Sequence, residues 1–122
     1  PSPRRCFEMG QVTARVLRES PWRVVLMASS SWSHAFLTEK NNWIYPDLAA
    51  DRAMLETLRA GNYTAWKNTP LPQMEQAGQQ EVLNWVCLAG AMAELDYKAN
   101  ILDWVETWIF NAPKCLAVFE PA

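Results

Sequence analysis

From Gly78 the sequence reads "GQQEVLNWVCLAGAMAELDY", and between Val82 and Leu95 it is apolar nearly all round. A surface helix carries one apolar stripe, whereas a helix that is apolar on every side must be enclosed by other elements. This stretch therefore predicts a buried helix and sets the centre of whatever surrounds it. Seven tryptophans, at positions 22, 32, 43, 66, 85, 104 and 108, point the same way. Indole rings are large and need a wide core or a pocket to fill. Both features ask for a body larger than these 122 residues supply, and the opening "PSPRR", without a methionine, agrees with a piece of a larger protein.

Ahead of that helix, Ser2 and Pro3 read as an N-cap and a first helical position leading into "RRCFEMGQVTARVLRE". Met9, Val12 and Val16 recur at helical spacing as its expected inner face, and Arg15 and Arg18 are left to solvent. "SPW" ends it. "RVVLMA", residues 23–28, is a continuous apolar run rich in β-branched residues, the pattern of a strand covered on both faces. Helix, turn and covered strand together make an α/β layer rather than a helical bundle.

Residues 29–46 form a loop rich in Ser, Asn and Trp. "DLAADRAMLETLRAG" predicts a helix stopped by Gly61, with Leu48, Met54, Leu55 and Leu58 apolar and Asp51, Arg52 and Arg59 polar. "NYTAWKN" predicts a short helix before the breaker "TPLP". At the C-terminal end "ILDWVETWIF" alternates, with Leu102, Trp104, Trp108 and Phe110 on one side and Ile101, Val105 and Ile109 on the other. "NAPK" is turn chemistry and "CLAVF" a second strand, so the segment predicts a hairpin.

Eleven basic and thirteen acidic residues are spread along the chain, and Arg4-Arg5 is the one basic doublet. Nucleic-acid binding has no electrostatic footprint in such a pattern. No stretch approaches the roughly 20 apolar residues of a membrane span, and no signal-peptide pattern opens the sequence. Cys6, Cys87 and Cys115 are odd in number and far apart, which predicts free, buried thiols and a cytoplasmic protein.

Chemistry concentrates at two places. "SSSWSHAFL", residues 29–37, carries the single histidine of the chain, His34, just past the apolar run. In open α/β sheets ligands bind beyond the carboxyl ends of the strands, so His34 is either a structural histidine or a group facing such a crevice. Serine hydrolysis is disfavoured: there is no G-x-S-x-G elbow, and the neighbours Ser33 and His34 would point apart. Glu81 stands in the first turn of the apolar helix, where the helix dipole favours a carboxylate. On residue grounds it is a second candidate or an ordinary solvated glutamate. Asp47 reads as a helix cap and Asp51 as part of a solvated face. A two-histidine-one-carboxylate iron site needs two imidazoles and this chain has one, so it cannot complete a standard site alone.

"ASSSWSHAFLTEKN", then "YPDLAADR", then "EQAGQQEVLNWVCLAGAM" resemble, in order and spacing, the C-terminal part of class III extradiol ring-cleavage dioxygenases. These are the catalytic (beta) subunits related to the protocatechuate and gallate dioxygenases. The likeness runs over residues 7 to 119, about the last third of such a subunit. It implies an α/β fold: part of a three-layer α/β/α domain with a central mixed sheet, ending in the hairpin. Residues 1–122 would then be a single unit, a C-terminal fragment of that larger domain.

The resemblance also implies roles. Non-haem Fe(II) is held in that family by two histidines from the N-terminal half and a glutamate from the C-terminal half, and Glu81 in "QEVLNW" matches the glutamate. His34 matches the acid/base histidine of the "SH" motif, and Ser33 and Trp32 beside it are the expected pocket residues. The implied partners are a catecholic substrate and dioxygen, the N-terminal region of the same subunit, and a small alpha subunit or a second copy. Alone, the fragment is expected neither to bind iron stoichiometrically nor to turn over. The competing expectation is a non-catalytic binding or assembly protein on the same fold with a degenerate iron site.

Overall fold

In the computed structural model, which describes residues 1–107 and 109–122, the first helix starts where Ser2 and Pro3 dictate. Helix α1 (Pro3–Arg18) is capped by the Ser2 hydroxyl, which accepts the Arg5 N–H at 3.3 Å. Its buried face is not the expected one. Cys6, Phe7, Gly10 and Ala14 are turned inward, while Met9, Val12 and Val16 are 62, 49 and 62 % exposed.

The cause is the approach of α5 (Leu83–Leu95), the apolar helix, which follows a 3-10 turn over Gln80–Val82. A Cβ on Gly10 would lie 1.8 Å from the Cys87 carbonyl oxygen, and one on Gly90 would lie 2.0 Å from that of Phe7. The two backbones touch, so the side of α1 with residues 6, 10 and 14 at four-residue spacing is chosen because it is small. The helix expected to be enclosed is buried at Trp85, Val86, Leu88, Ala89, Gly90, Ala91 and Met92.

Three shorter helices sit beside this pair. Helix α2 (Leu48–Arg59) is capped by Asp47, whose side chain accepts the Ala50 N–H, and it stops at Gly61 with φ +67°. Helix α3 (Tyr63–Asn68) follows as expected. Helix α4 (Leu71–Gln76) was not foreseen: the prolines of "TPLP" start a helix instead of only breaking one, since a first-turn proline gives up an N–H that has no partner anyway.

The hairpin is formed by β1 (Tyr97–Val105) and β2 (Lys114–Pro121), antiparallel, pairing Tyr97 with Pro121 and Val105 with Lys114. The first strand begins four residues earlier than expected, right after Asp96 closes α5 in the left-handed region. Ile101 pairs with Ala117 and Asp103 with Leu116, so Leu102 is a bulge. The bulge changes the phase of the alternation. Ile101 and Trp104 pack against the core, while Leu102, expected beside Trp104, is 55 % exposed. Trp108, also expected on that face, lies outside the described residues.

The α/β composition and the terminal hairpin are as expected; the strand at residues 23–28 is not formed. Among the described residues the one sheet is the two-stranded hairpin. A strand covered on both faces needs neighbouring strands to take its N–H and C=O groups, and the described residues offer it none. Val25 and Met27 are 89 and 80 % exposed. On its inner side the segment borders an open groove of about 640 Å³, lined among others by Ala14, Leu88, Met92 and Phe119.

Trp32 is fully buried and stands at the centre of the aromatic core. Its ring meets those of Trp66, Trp85 and Trp104 edge-on, with centroids 5.6, 5.6 and 5.0 Å away. Trp66 donates its Nε1–H to Thr57 Oγ1 at 2.8 Å. Four of the seven tryptophans therefore fill one cluster; Trp22 and Trp43 are exposed.

Candidate functional site

Helix α4 ends in a pair of backbone hydrogen bonds that shape the next loop. The Gly78 N–H donates to Glu75 O at 3.0 Å and the Gln79 N–H to Met74 O at 2.8 Å, with Gly78 at φ +71°. This is a Schellman closure, and it needs glycine. A Cβ on Gly78 would also lie 2.6 Å from the His34 carbonyl oxygen. The freed Gly78 carbonyl accepts the His34 N–H at 3.0 Å, so the end of α4 fixes the backbone of the histidine.

Two residues beyond Gln79, the 3-10 turn carries Glu81. Ser30 donates its hydroxyl to the Glu81 carbonyl oxygen at 2.9 Å, a second tie between the two loops. Across them His34 Nε2 lies 3.1 Å from Glu81 Oε2, hydrogen-bonding the carboxylate. The two candidate residues, 47 positions apart in sequence, thus share one place in the fold. The His34 side chain is 9 % exposed and that of Glu81 49 %, so the pair is reached from the Glu81 side. Among the described residues, His34 Nδ1 is buried without a hydrogen-bond partner. Phe36, 61 % exposed, lies against the imidazole with ring centroids 4.7 Å apart.

Ser33 and Trp32, the expected pocket residues, do not line an open surface: both are fully buried. Alternation along the extended chain turns Trp32 into the aromatic core. Ser33 is committed to a residue that sequence reading misplaced. Asp51, expected on a solvated face, is fully buried. It accepts the Ser33 hydroxyl at 2.5 Å, the Ser33 N–H at 3.2 Å and the Gln79 side-chain amide at 2.7 Å. Burial raises its carboxyl from 3.8 to about 6, against the pull of those hydrogen bonds. Asp47 caps α2 as expected and also pairs with Lys40.

Gly78, Gln79 and Asp51 are the supporting residues that sequence reading missed. The "QAG" after a helical run is a C-cap signature that was available. Asp51 gives no such signal, since its spacing in α2 is that of an ordinary polar position.

Chemically, the pair offers one anionic oxygen ligand and one imidazole that can carry a proton. Among the described residues no three His, Cys, Asp or Glu side chains come together to hold a metal ion. The open groove beside residues 23–28 and a smaller one lined by Met9, Gly10 and Asn84 do not include His34 or Glu81. No described helix is long and apolar enough to cross a membrane. All three cysteines are free.

A protein-family model described as the catalytic LigB subunit of aromatic ring-opening dioxygenase matches residues 1–111. Neither the curated proteins nor the solved structures gave a match to this chain.

Proposed function

The chain belongs to the family of catalytic LigB subunits of aromatic ring-opening dioxygenases, and from that membership we propose that it serves extradiol cleavage of a catecholic ring. In this reading residues 1–122 form the C-terminal part of a larger subunit. Dioxygen enters between a ring carbon bearing a hydroxyl and its neighbour outside the diol, and both oxygen atoms remain in the opened product.

The observation that carries the proposal is the 3.1 Å contact between His34 Nε2 and Glu81 Oε2. A carboxylate and an imidazole held side by side, one half-exposed and one nearly buried, form an acidic-diol site with a base beside an anionic ligand. Exposed Phe36 adds an apolar wall suited to an aromatic ring.

The donor chemistry fits a non-haem Fe(II) ion in part. Glu81 would hold it through a carboxylate oxygen, while the two imidazoles of a facial triad must come from outside these residues, whose one histidine is His34. When bound, the ion supplies the redox chemistry that allows dioxygen to react with the diol. His34 does the proton work. Nε2 is the nitrogen turned toward Glu81; once it no longer donates to that carboxylate, the ring in its Nδ1–H form takes the phenolic proton at Nε2 as the diol binds and returns a proton as the ring opens. The Gly78 carbonyl fixes its backbone by accepting the His34 N–H, and the side chain, 9 % exposed, is largely shielded from water.

Product analysis of the complete subunit with a catechol and isotopic dioxygen tests the proposal. A semialdehyde-type ring-opened product carrying both labelled atoms is expected. A dicarboxylic product from cleavage between the hydroxyls would overturn the extradiol assignment. No product from any catechol would favour the binding or assembly reading instead.

A further inference from the structure

Beneath the His34–Glu81 pair lies a carboxylate that the proposed chemistry does not use. Asp51 is fully buried on α2. It takes its hydrogen bonds from the two loops that carry the site. From one side Ser33, the residue before His34, gives its N–H at 3.2 Å and its hydroxyl at 2.5 Å. From the other, Gln79, two residues before Glu81, gives its side-chain amide at 2.7 Å. We infer that Asp51 is a positioning residue: its carboxylate locks the Ser33–His34 loop to the Gln79–Glu81 turn and so holds His34 Nε2 against Glu81.

An ionisable group is costly to bury and is tolerated where its hydrogen bonds are complete. All the contacts converging here are donors, and an ionised carboxylate is the one side chain that only accepts. An asparagine of the same shape, its NH2 in place of the oxygen that faces Ser33, would force the Ser33 hydroxyl to reverse from donor to acceptor and would take one of the two oxygens from the Ser33 N–H. An apolar residue would leave the Ser33 N–H and the Gln79 amide buried without acceptors. Charge-accepting geometry, not bulk, is what the position requires.

The inference rests on reading His34 and Glu81 as the site, but its geometric content can be measured without turnover. His34 is the single histidine, so its ring protons are a unique reporter by NMR in the 122-residue chain. At constant pH the wild type should show a through-space contact between the His34 ring and the Glu81 side chain. In Asp51→Asn that contact should be lost and the ring signals shifted, while those of Trp66 and Trp85 in the core remain. Ser33→Ala removes the hydroxyl bond, leaving the backbone one, and Gln79→Met removes the whole second arm; each should shift the same ring signals, Gln79→Met the more, and they decide the matter if Asp51→Asn does not fold.

A merely structural role would lower stability and leave the reporter in place. A folded Asp51→Asn, or both single-arm variants, with an unshifted His34 ring and an intact Glu81 contact would overturn the inference. In the complete subunit the same loss of aim should lower kcat roughly 10²-fold, the scale of a displacement of about 1 Å. KM should change far less. A wild-type subunit without ring-opening activity would sink the functional reading while leaving the NMR result, and hence the clamp, to stand or fall by itself.

Discussion

His34 was legible as a candidate because it is unique in the chain and follows an apolar run; its partner was legible through resemblance. Of the scaffolding that unites them, only the Gly78 cap left a pattern, the "QAG" after a helical run. Asp51 looks like any polar position of a helix until the Ser33 and Gln79 contacts are seen. Its raised carboxyl, about 6 in the folded chain against 3.8, gives a pH signature. Between these values the folded state binds more protons than the unfolded one. The contribution of Asp51 to stability is therefore most favourable below about pH 4 and is lost as pH rises to about 6, by about 3 kcal/mol. Urea unfolding of wild type and Asp51→Asn across that range should show a stability difference that moves in this direction. A difference independent of pH would contradict it. The thiols give a simpler expectation: burial lifts Cys115 to about 11 and raises Cys87, which also neighbours Cys6. Both should alkylate far more slowly at pH 8 than an exposed thiol, and labelling at the free-thiol rate would show them to be open.

At the scale of elements, the buried apolar helix, the capped first helix and the hairpin were all legible, because hydrophobic period and cap chemistry are local. The inward face of α1 was not. Met9, Val12 and Val16 have the right spacing and the greater hydrophobicity, but contact between two backbones rewards small residues, and the choice depends on α5. The bulge at Leu102 escaped for a similar reason: one extra residue resets the alternation, and period-two patterning cannot show where. The close helix pair makes a sharp prediction. Gly10→Ala should gain up to about 1 kcal/mol in helix propensity. Its methyl would meet the Cys87 backbone oxygen at 1.8 Å, where no flexible side chain can yield. Overpacking costs about 1–3 kcal/mol, or more where backbone must shift. Chemical denaturation should therefore show a net loss; a more stable Gly10→Ala would refute the contact.

For the whole molecule, the segment 22–28 and the outer face of α1 leave Met9, Val12, Val16, Trp22, Val25 and Met27 uncovered. Apolar surface of this extent promotes association. Sedimentation of the 122-residue chain should show concentration-dependent self-association, and a clean monomer at high concentration would count against its being part of a larger domain. In the proposed reading Glu81 holds the metal while His34 moves the proton, and metal content read beside turnover separates the two roles. In the complete subunit, Glu81→Ala should abolish iron retention without unfolding the protein. His34→Ala should keep iron near the wild-type level while lowering turnover about 10²- to 10⁴-fold. Full iron and full ring-opening activity in Glu81→Ala, or loss of iron in His34→Ala, would contradict the assignment.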